Sequence, residues 1–295
     1  MISTTTGAPR WSARSTRVVW ALGVASVLSV AATVWLGLWV TPPDQAQGNL
    51  VRLVYVHPPI AWVALYLAFG IAAVSSALWL WPRTRSRFWD RLAAASVEVG
   101  TVFTALTLIT GSLWGRPTWG VWWVWDARLT STALLLVLLL GYLAVRRIPA
   151  DVDARARRCA VVALVSAVDV PIVHFSVNWW HTLHQTATVF NPDLSPTIHG
   201  AMAWTLLLGF VAFTLAFFWM LVVRYRVEVL AEHFDEHELD EALRERWSEG
   251  PRSATPVPGA PVSAAPAADP VSTVDTGAGP WADPDGTALV TTPTP

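Results

Sequence analysis

The sequence predicts an all-α integral membrane protein of six transmembrane helices. Both termini are expected to be cytoplasmic, with a tryptophan-rich helix in an outward loop and a disordered C-terminal tail. Three observations carry this prediction. Of 295 residues, 54% are hydrophobic and only 14% charged, against about 25% charged in ordinary soluble domains. Six apolar runs approach the ~20 residues needed to cross a ~30 Å hydrocarbon core. The positive charges number 20, all arginine, and most of them fall on one side of those runs.

The elements follow in order. Residues 1–17 form a polar N-terminal segment carrying Arg10, Arg14 and Arg17. The first span runs from about Val18 to Val40. It exceeds the roughly 7–15-residue apolar core of a signal peptide and lacks a convincing small-residue cleavage site, so it is expected to be retained. Further spans are expected at about Tyr55–Trp81, Leu92–Leu113, Leu129–Val145, Ala160–Val177 and Gly200–Val223, which makes 18–223 one membrane domain. Backbone groups in lipid must be satisfied within the segment, so these spans are helices. Loops on one side hold 14 arginines: 10, 14 and 17; 83, 85, 87 and 91; 146, 147, 155, 157 and 158; 224 and 226. The other side holds three, Arg52, Arg116 and Arg128. The positive-inside rule places the first group in the cytoplasm. The loops near 41–54, 114–128 and 178–199 then face outward.

Residues 224–249 are charged, with Val227, Leu230 and Phe234 at helical spacing, and read as a short amphipathic cytoplasmic helix. Residues 250–295 are rich in Pro, Ala, Thr, Gly and Ser, a composition that cannot bury a core, and are expected to be disordered. A net charge of −1 gives no global field for nucleic acid. The single cysteine, Cys159, excludes a disulfide framework, a C-x-x-C pair and a C-x-x-C-H haem attachment site. The sequence has no G-x-x-x-x-G-K-[ST] loop, so any ATP hydrolysis must lie elsewhere.

The chemistry concentrates in the outward loops. The middle one reads WGRPTWGVWWVWDARLTS, from Trp114 to Ser131, with Trp114, Trp119, Trp122, Trp123 and Trp125 close together. On a helix, Trp119, Trp122, Trp123 and Asp126 would share one face. An aromatic belt at the headgroup level is the plain reading. It does not call for five indoles beside a charged Asp126 and Arg128. A platform for a large flat aromatic ligand, such as a porphyrin, does. His57, in YVHPPIAW, lies in the first outward loop, and His184, in WWHTLHQT, lies in the third. Pro58 and Pro59 favour a helix start at His57. Imidazole is a common axial ligand of haem iron, so two histidines on the tryptophan side could form a bis-His site. His174, His181 and His199 compete for that role. His233 and His237 sit on the opposite side, where their i, i+4 spacing is weak evidence for a metal. Arg52 and Arg128 are the preferred partners for haem propionates, through bidentate hydrogen bonds. Glu98 and Asp169 are charges inside spans. Glu98 could pair near the arginine-rich end, close to Arg91, and Asp169 could pair with His174. Thr101, Thr104, Thr107 and Thr110 form a polar stripe expected to serve helix packing.

The stretch Trp114–Ser131 resembles the tryptophan-rich WWD signature of haem-handling proteins, shared by three families used in cytochrome c biogenesis. Its continuation, WDARLTS, resembles cytochrome c maturation protein C (CcmC), whereas the haem lyases usually continue WDP with an acidic residue. PIVHFSVNWWHTLHQ, from Pro171 to Gln185, and VRLVYVHPPIAW, from Val51 to Trp62, resemble the same family in the same order. The resemblance covers roughly residues 15 to 230, and the tail departs from it. It implies a protein that presents haem b at the outer face of the bacterial cytoplasmic membrane and enables its transfer to the haem chaperone CcmE. It also implies work beside the ABC transporter subunits CcmA and CcmB and the single-span protein CcmD. The family's axial histidines match His57 and His184 rather than His181. Its tryptophan motif matches Trp114, Trp119, Trp122, Trp123, Trp125 and Asp126. Such a protein is expected to bind and deliver haem rather than act as an enzyme in its own right. The alternatives are a haem lyase acting on apocytochrome c, a haem-containing electron-transfer subunit and a channel. Electron-transfer subunits usually hold haem between histidines deep within spans, and here the best candidates sit at span ends.

Overall fold

The computed structural model describes residues 11–184 and 198–248. Among these, six helical segments are long and apolar enough to cross a membrane: Ala13–Val40, Asn49–Leu80, Arg87–Trp119, Ala127–Arg146, Val152–Trp179 and Gly200–Ser248. The described residues contain no strand beyond an isolated bridge between Asp44 and Gly48. The predicted tail, 250–295, lies outside the described residues, as do 1–10 and 185–197.

Helix α1 (Ala13–Trp35) starts at Ser12, whose hydroxyl accepts the Ser15 N–H at 3.1 Å. It continues as a π-helical turn, Leu36–Val40. The second span opens with a 3₁₀ stretch, Asn49–Tyr55, and then α2 (His57–Trp62), where Pro58 and Pro59 occupy the first turn and need no hydrogen-bond donor. A π-helical turn, Val63–Ala68, leads into α3 (Phe69–Leu80). Helix α4 (Arg87–Trp119) is the central element: Val97 joins the core of α3 and α5, while Val99 and Phe103 meet Phe217 of the last span. Helix α5 is Ala127–Arg146.

The fifth span is broken into α6 (Val152–Ser166) and α7 (Asp169–Trp179). Pro171 explains the break, since its ring would clash with the carbonyl of Ala167 in a continuous helix. The last helix, α8, runs Gly200–Ser248 without interruption. The short separate helix read over 224–249 is therefore continuous with the sixth span. At 1.5 Å per residue α8 is about 74 Å long, so only part of it can lie in hydrocarbon. Residues from Arg244 onward form a second compact unit, of which Arg244–Ser248 are described as helix. Within the first unit, α8 approaches the second span closely at Gly209, where a Cβ would sit 2.6 Å from the Tyr55 carbonyl oxygen.

The arginine-rich end is tied by ion pairs. Arg146 of α5 holds Asp90 of α4 at 2.9 Å and Glu228 of α8 at 3.3 Å. Glu232 receives Arg91 at 2.7 Å and Arg155 at 2.9 Å. Glu98 pairs with Arg224 rather than with Arg91. Four helices are thus joined by charges, most of them largely out of contact with water.

Candidate functional site

At the other end of the bundle lies a cavity between the second, third, fourth, fifth and last spans. It encloses about 1500 Å³ of atom-free space, including the part open to solvent. Its lining is mostly apolar and includes His57, His184, Trp114, Trp119, Trp123 and Arg128.

His57 begins α2, and its Nδ1 lies 2.9 Å from the Thr110 hydroxyl oxygen. His184 follows α7 in a non-helical stretch, where its N–H donates to the Thr182 hydroxyl at 2.9 Å. The ring centres of the two imidazoles lie 6.4 Å apart, with planes inclined by 38°. Two imidazoles on opposite sides of one metal, each bonded at about 2 Å, hold their ring centres about 6 Å apart. The separation of the ring centres matches that distance.

Indoles flank this pair edge-on. Trp114 lies 5.9 Å from His57 at 83°, and Trp119 lies 6.1 Å from His184 at 61°. Trp114 is itself anchored, its indole N–H donating to Gln47 Oε1 at 2.9 Å. Gln47 sits in a turn organised by Asp44, whose Oδ1 accepts the N–H groups of Gln47 and Ala46 at 2.8 Å each. Those donors hold the Asp44 carboxyl below the usual carboxylate range. Gln47 gave no sequence signal beyond being polar in an outward loop.

The tryptophan loop differs from its predicted form. The helix ends at Trp119, and residues 120–126 are not helical. Gly120 terminates it with φ +81°, a left-handed conformation that glycine adopts without strain. The expected single face of Trp119, Trp122, Trp123 and Asp126 therefore does not form. Trp114, Trp119 and Trp123 line the cavity, while Trp122 and Trp125 are exposed, the latter by 82%. Trp125 meets Trp123 edge-to-face at 5.5 Å, and Arg116 lies over Trp122. Asp126 is the N-cap of α5, its Oδ1 accepting the Leu129 N–H at 2.8 Å. The WDARLTS stretch is thus, locally, a helix start with an aspartate cap.

Of the two arginines expected to meet propionates, only Arg128 lines the cavity. Its guanidinium donates to the His174 carbonyl at 2.8 Å, which fixes α5 to α7. It is the only formally charged arginine or carboxylate among the lining residues described. Arg52 instead donates to the Leu38 carbonyl in the π-helical turn of the first span. His174 shares a hydrogen bond with the Tyr66 hydroxyl and not with Asp169. Asp169 is buried at the α6–α7 break, and its Oδ2 has no hydrogen-bond partner among the described residues. His181 and His199 are exposed and do not line the cavity. His233 and His237 pair with each other at 3.0 Å on α8.

The family model described as Heme exporter protein C, CcmC, matches residues 2–240. The Heme exporter protein C of Haemophilus influenzae is 40% identical over 208 residues, covering 70% of this chain and 82% of the relative. That of Bradyrhizobium diazoefficiens is 36% identical over 244 residues, covering 81% and 89%. A putative cytochrome c biosynthesis ccmC-like mitochondrial protein of Marchantia polymorpha is 37% identical over 183 residues, covering 62% and 75%.

Proposed function

The chain belongs to the CcmC family of haem exporter proteins, and from that premise we propose that it holds haem b for delivery to the haem chaperone CcmE during cytochrome c maturation. The observation that carries the reading is the pair His57 and His184, ring centres 6.4 Å apart, lining one tryptophan-lined cavity. These histidines would hold the haem iron. The haem supplies the reactive vinyl edge that the chaperone captures. Trp114, Trp119 and Trp123 surround the porphyrin with flat apolar surface and exclude water. Arg128 meets a propionate, its orientation set by the His174 carbonyl. The exposed indoles of Trp122 and Trp125 face the incoming chaperone.

The positive-inside rule puts this cavity on the outer face of the cytoplasmic membrane, where a delivery protein must offer its cargo. CcmA and CcmB supply the ATP-driven work that this chain has no nucleotide loop to perform, and CcmD completes the assembly. The haem lyase alternative is disfavoured by the WDARLTS continuation.

Haem staining after denaturing electrophoresis separates these roles. With the other Ccm proteins present, covalent haem is expected on CcmE, dependent on this chain and lost with Trp119→Ala combined with Trp123→Ala. Covalent haem on apocytochrome c, formed by this chain without CcmE, would assign a lyase instead.

A further inference from the structure

We infer that Thr110 and Gly111 of α4 form the seat that fixes the orientation and tautomer of the His57 imidazole, which makes Thr110 a positioning residue for the haem ligand. The inference rests on the reading of His57 as that ligand. The Thr110 hydroxyl oxygen lies 2.9 Å from His57 Nδ1, 2.7 Å from the Leu106 carbonyl oxygen and 3.3 Å from the Thr107 carbonyl oxygen. A hydroxyl has one proton and two lone pairs. A carbonyl oxygen only accepts, so the hydroxyl proton goes to Leu106. What remains for His57 is a lone pair, which requires a proton on Nδ1. In a neutral imidazole that leaves Nε2 as the nitrogen with a free electron pair, the form a metal needs.

The same bond has an electronic effect. A ligating histidine whose other N–H donates a hydrogen bond is oriented and made more basic by it. Thr101, Thr104 and Thr107 make the same backbone bond, at 2.7, 2.8 and 2.8 Å. Of the four, Thr110 is the one whose hydroxyl also meets an imidazole. The stripe predicted to serve packing therefore ends in a group with a different task.

Gly111 supplies the space. A Cβ there would sit 3.1 Å from His57 Cε1, 3.7 Å from Nδ1 and 3.8 Å from Nε2. An added Cβ would crowd the ring at Cε1, which would have to give by a few tenths of an ångström. The sequence pair Thr-Gly thus provides, on one turn of α4, an acceptor for Nδ1–H and room for the ring.

The test uses the full-length protein in detergent, with Thr110→Val, Thr110→Ser, Gly111→Ala and His57→Ala beside the parent. Valine keeps the shape of threonine and removes the acceptor. Three quantities are read: haem dissociation, the reduction potential of the bound haem, and, in haem-free protein, hydrogen–deuterium exchange at His57 Cε1 by mass spectrometry. Thr110→Val is expected to weaken haem retention by roughly 10–100-fold, the usual effect of losing such a partner. It should also raise the potential, because a less basic imidazole stabilises ferric iron less. His57 exchange in the haem-free protein should change. Thr110→Ser should restore all three, and Gly111→Ala should weaken haem retention in the same direction by less than Thr110→Val. The inference is overturned if Thr110→Val matches the parent in all three while His57→Ala loses the low-spin haem spectrum. If His57→Ala keeps the parental spectrum, the ligand reading itself fails and the inference falls with it.

Discussion

His57→Ala and His184→Ala are each expected to convert the bound haem from a six-coordinate low-spin form to a five-coordinate one, with retention weakened by at least roughly 100-fold. Loss of an axial ligand should exceed the ~10–100-fold effect of losing a partner one shell out, and 100-fold corresponds to about 2.7 kcal/mol. The two positions differ in setting. His57 starts α2 and rests on α4, whereas His184 lies beyond the end of α7 in non-helical chain. Neither substitution removes a residue of the apolar core. Their effects should therefore appear in the haem spectrum and leave the melting temperature of the haem-free protein nearly unchanged. Free imidazole added to His184→Gly should restore much of the low-spin signal. A haem spectrum identical to the parent's in both variants would exclude the pair as ligands.

The largest effect on stability is expected at the opposite end of the bundle. Arg146 is 10% exposed and bridges Asp90, which is 6% exposed, to Glu228, which is 16% exposed. Two nitrogens of its guanidinium reach the two oxygens of Asp90, at 2.9 and 3.2 Å, the fork geometry in which arginine is not replaceable by lysine. Arg146→Ala would leave Asp90 buried without its arginine, while Glu228 keeps Arg224 at 3.7 Å. Breaking a buried pair in this way costs about 3–5 kcal/mol. Arg87–Glu236 is the internal control, because its side chains are 54% and 59% exposed. Arg87→Ala should cost under about 1 kcal/mol. Thermal unfolding in detergent reads both, and equal losses would contradict the account. Arg146→Ala should leave haem ligation intact in whatever protein remains folded.

The six spans were legible because a hydrocarbon core imposes length and apolarity on a continuous run, which a linear sequence displays directly. The start of α2 at His57 was legible for a local reason, the two prolines that follow it. What the sequence concealed depended on where chains end and turn. Trp119, Trp122 and Trp123 have helical spacing, but Gly120 ends the helix between them, so periodicity described a face that is not built. Pro171 breaks the fifth span although the apolar run continues through it. Arg52 and Arg128 looked equivalent as outward charges. Only packing showed that one reaches back to the first span while the other enters the cavity. The partners of Glu98 and His174 were also beyond reach, because Arg224 and Tyr66 lie far away in sequence. The nearness of His57 and His184 could be suspected from the pattern of outward loops, but their separation could not.

The most direct test of the central claim is electron paramagnetic resonance of the ferric, haem-loaded protein. Ligation by His57 and His184 predicts a low-spin signal with the g-values of two imidazole ligands, converted to a high-spin signal in either alanine variant. A ferric signal that is high-spin in the parent, or low-spin and unchanged in both variants, would contradict it.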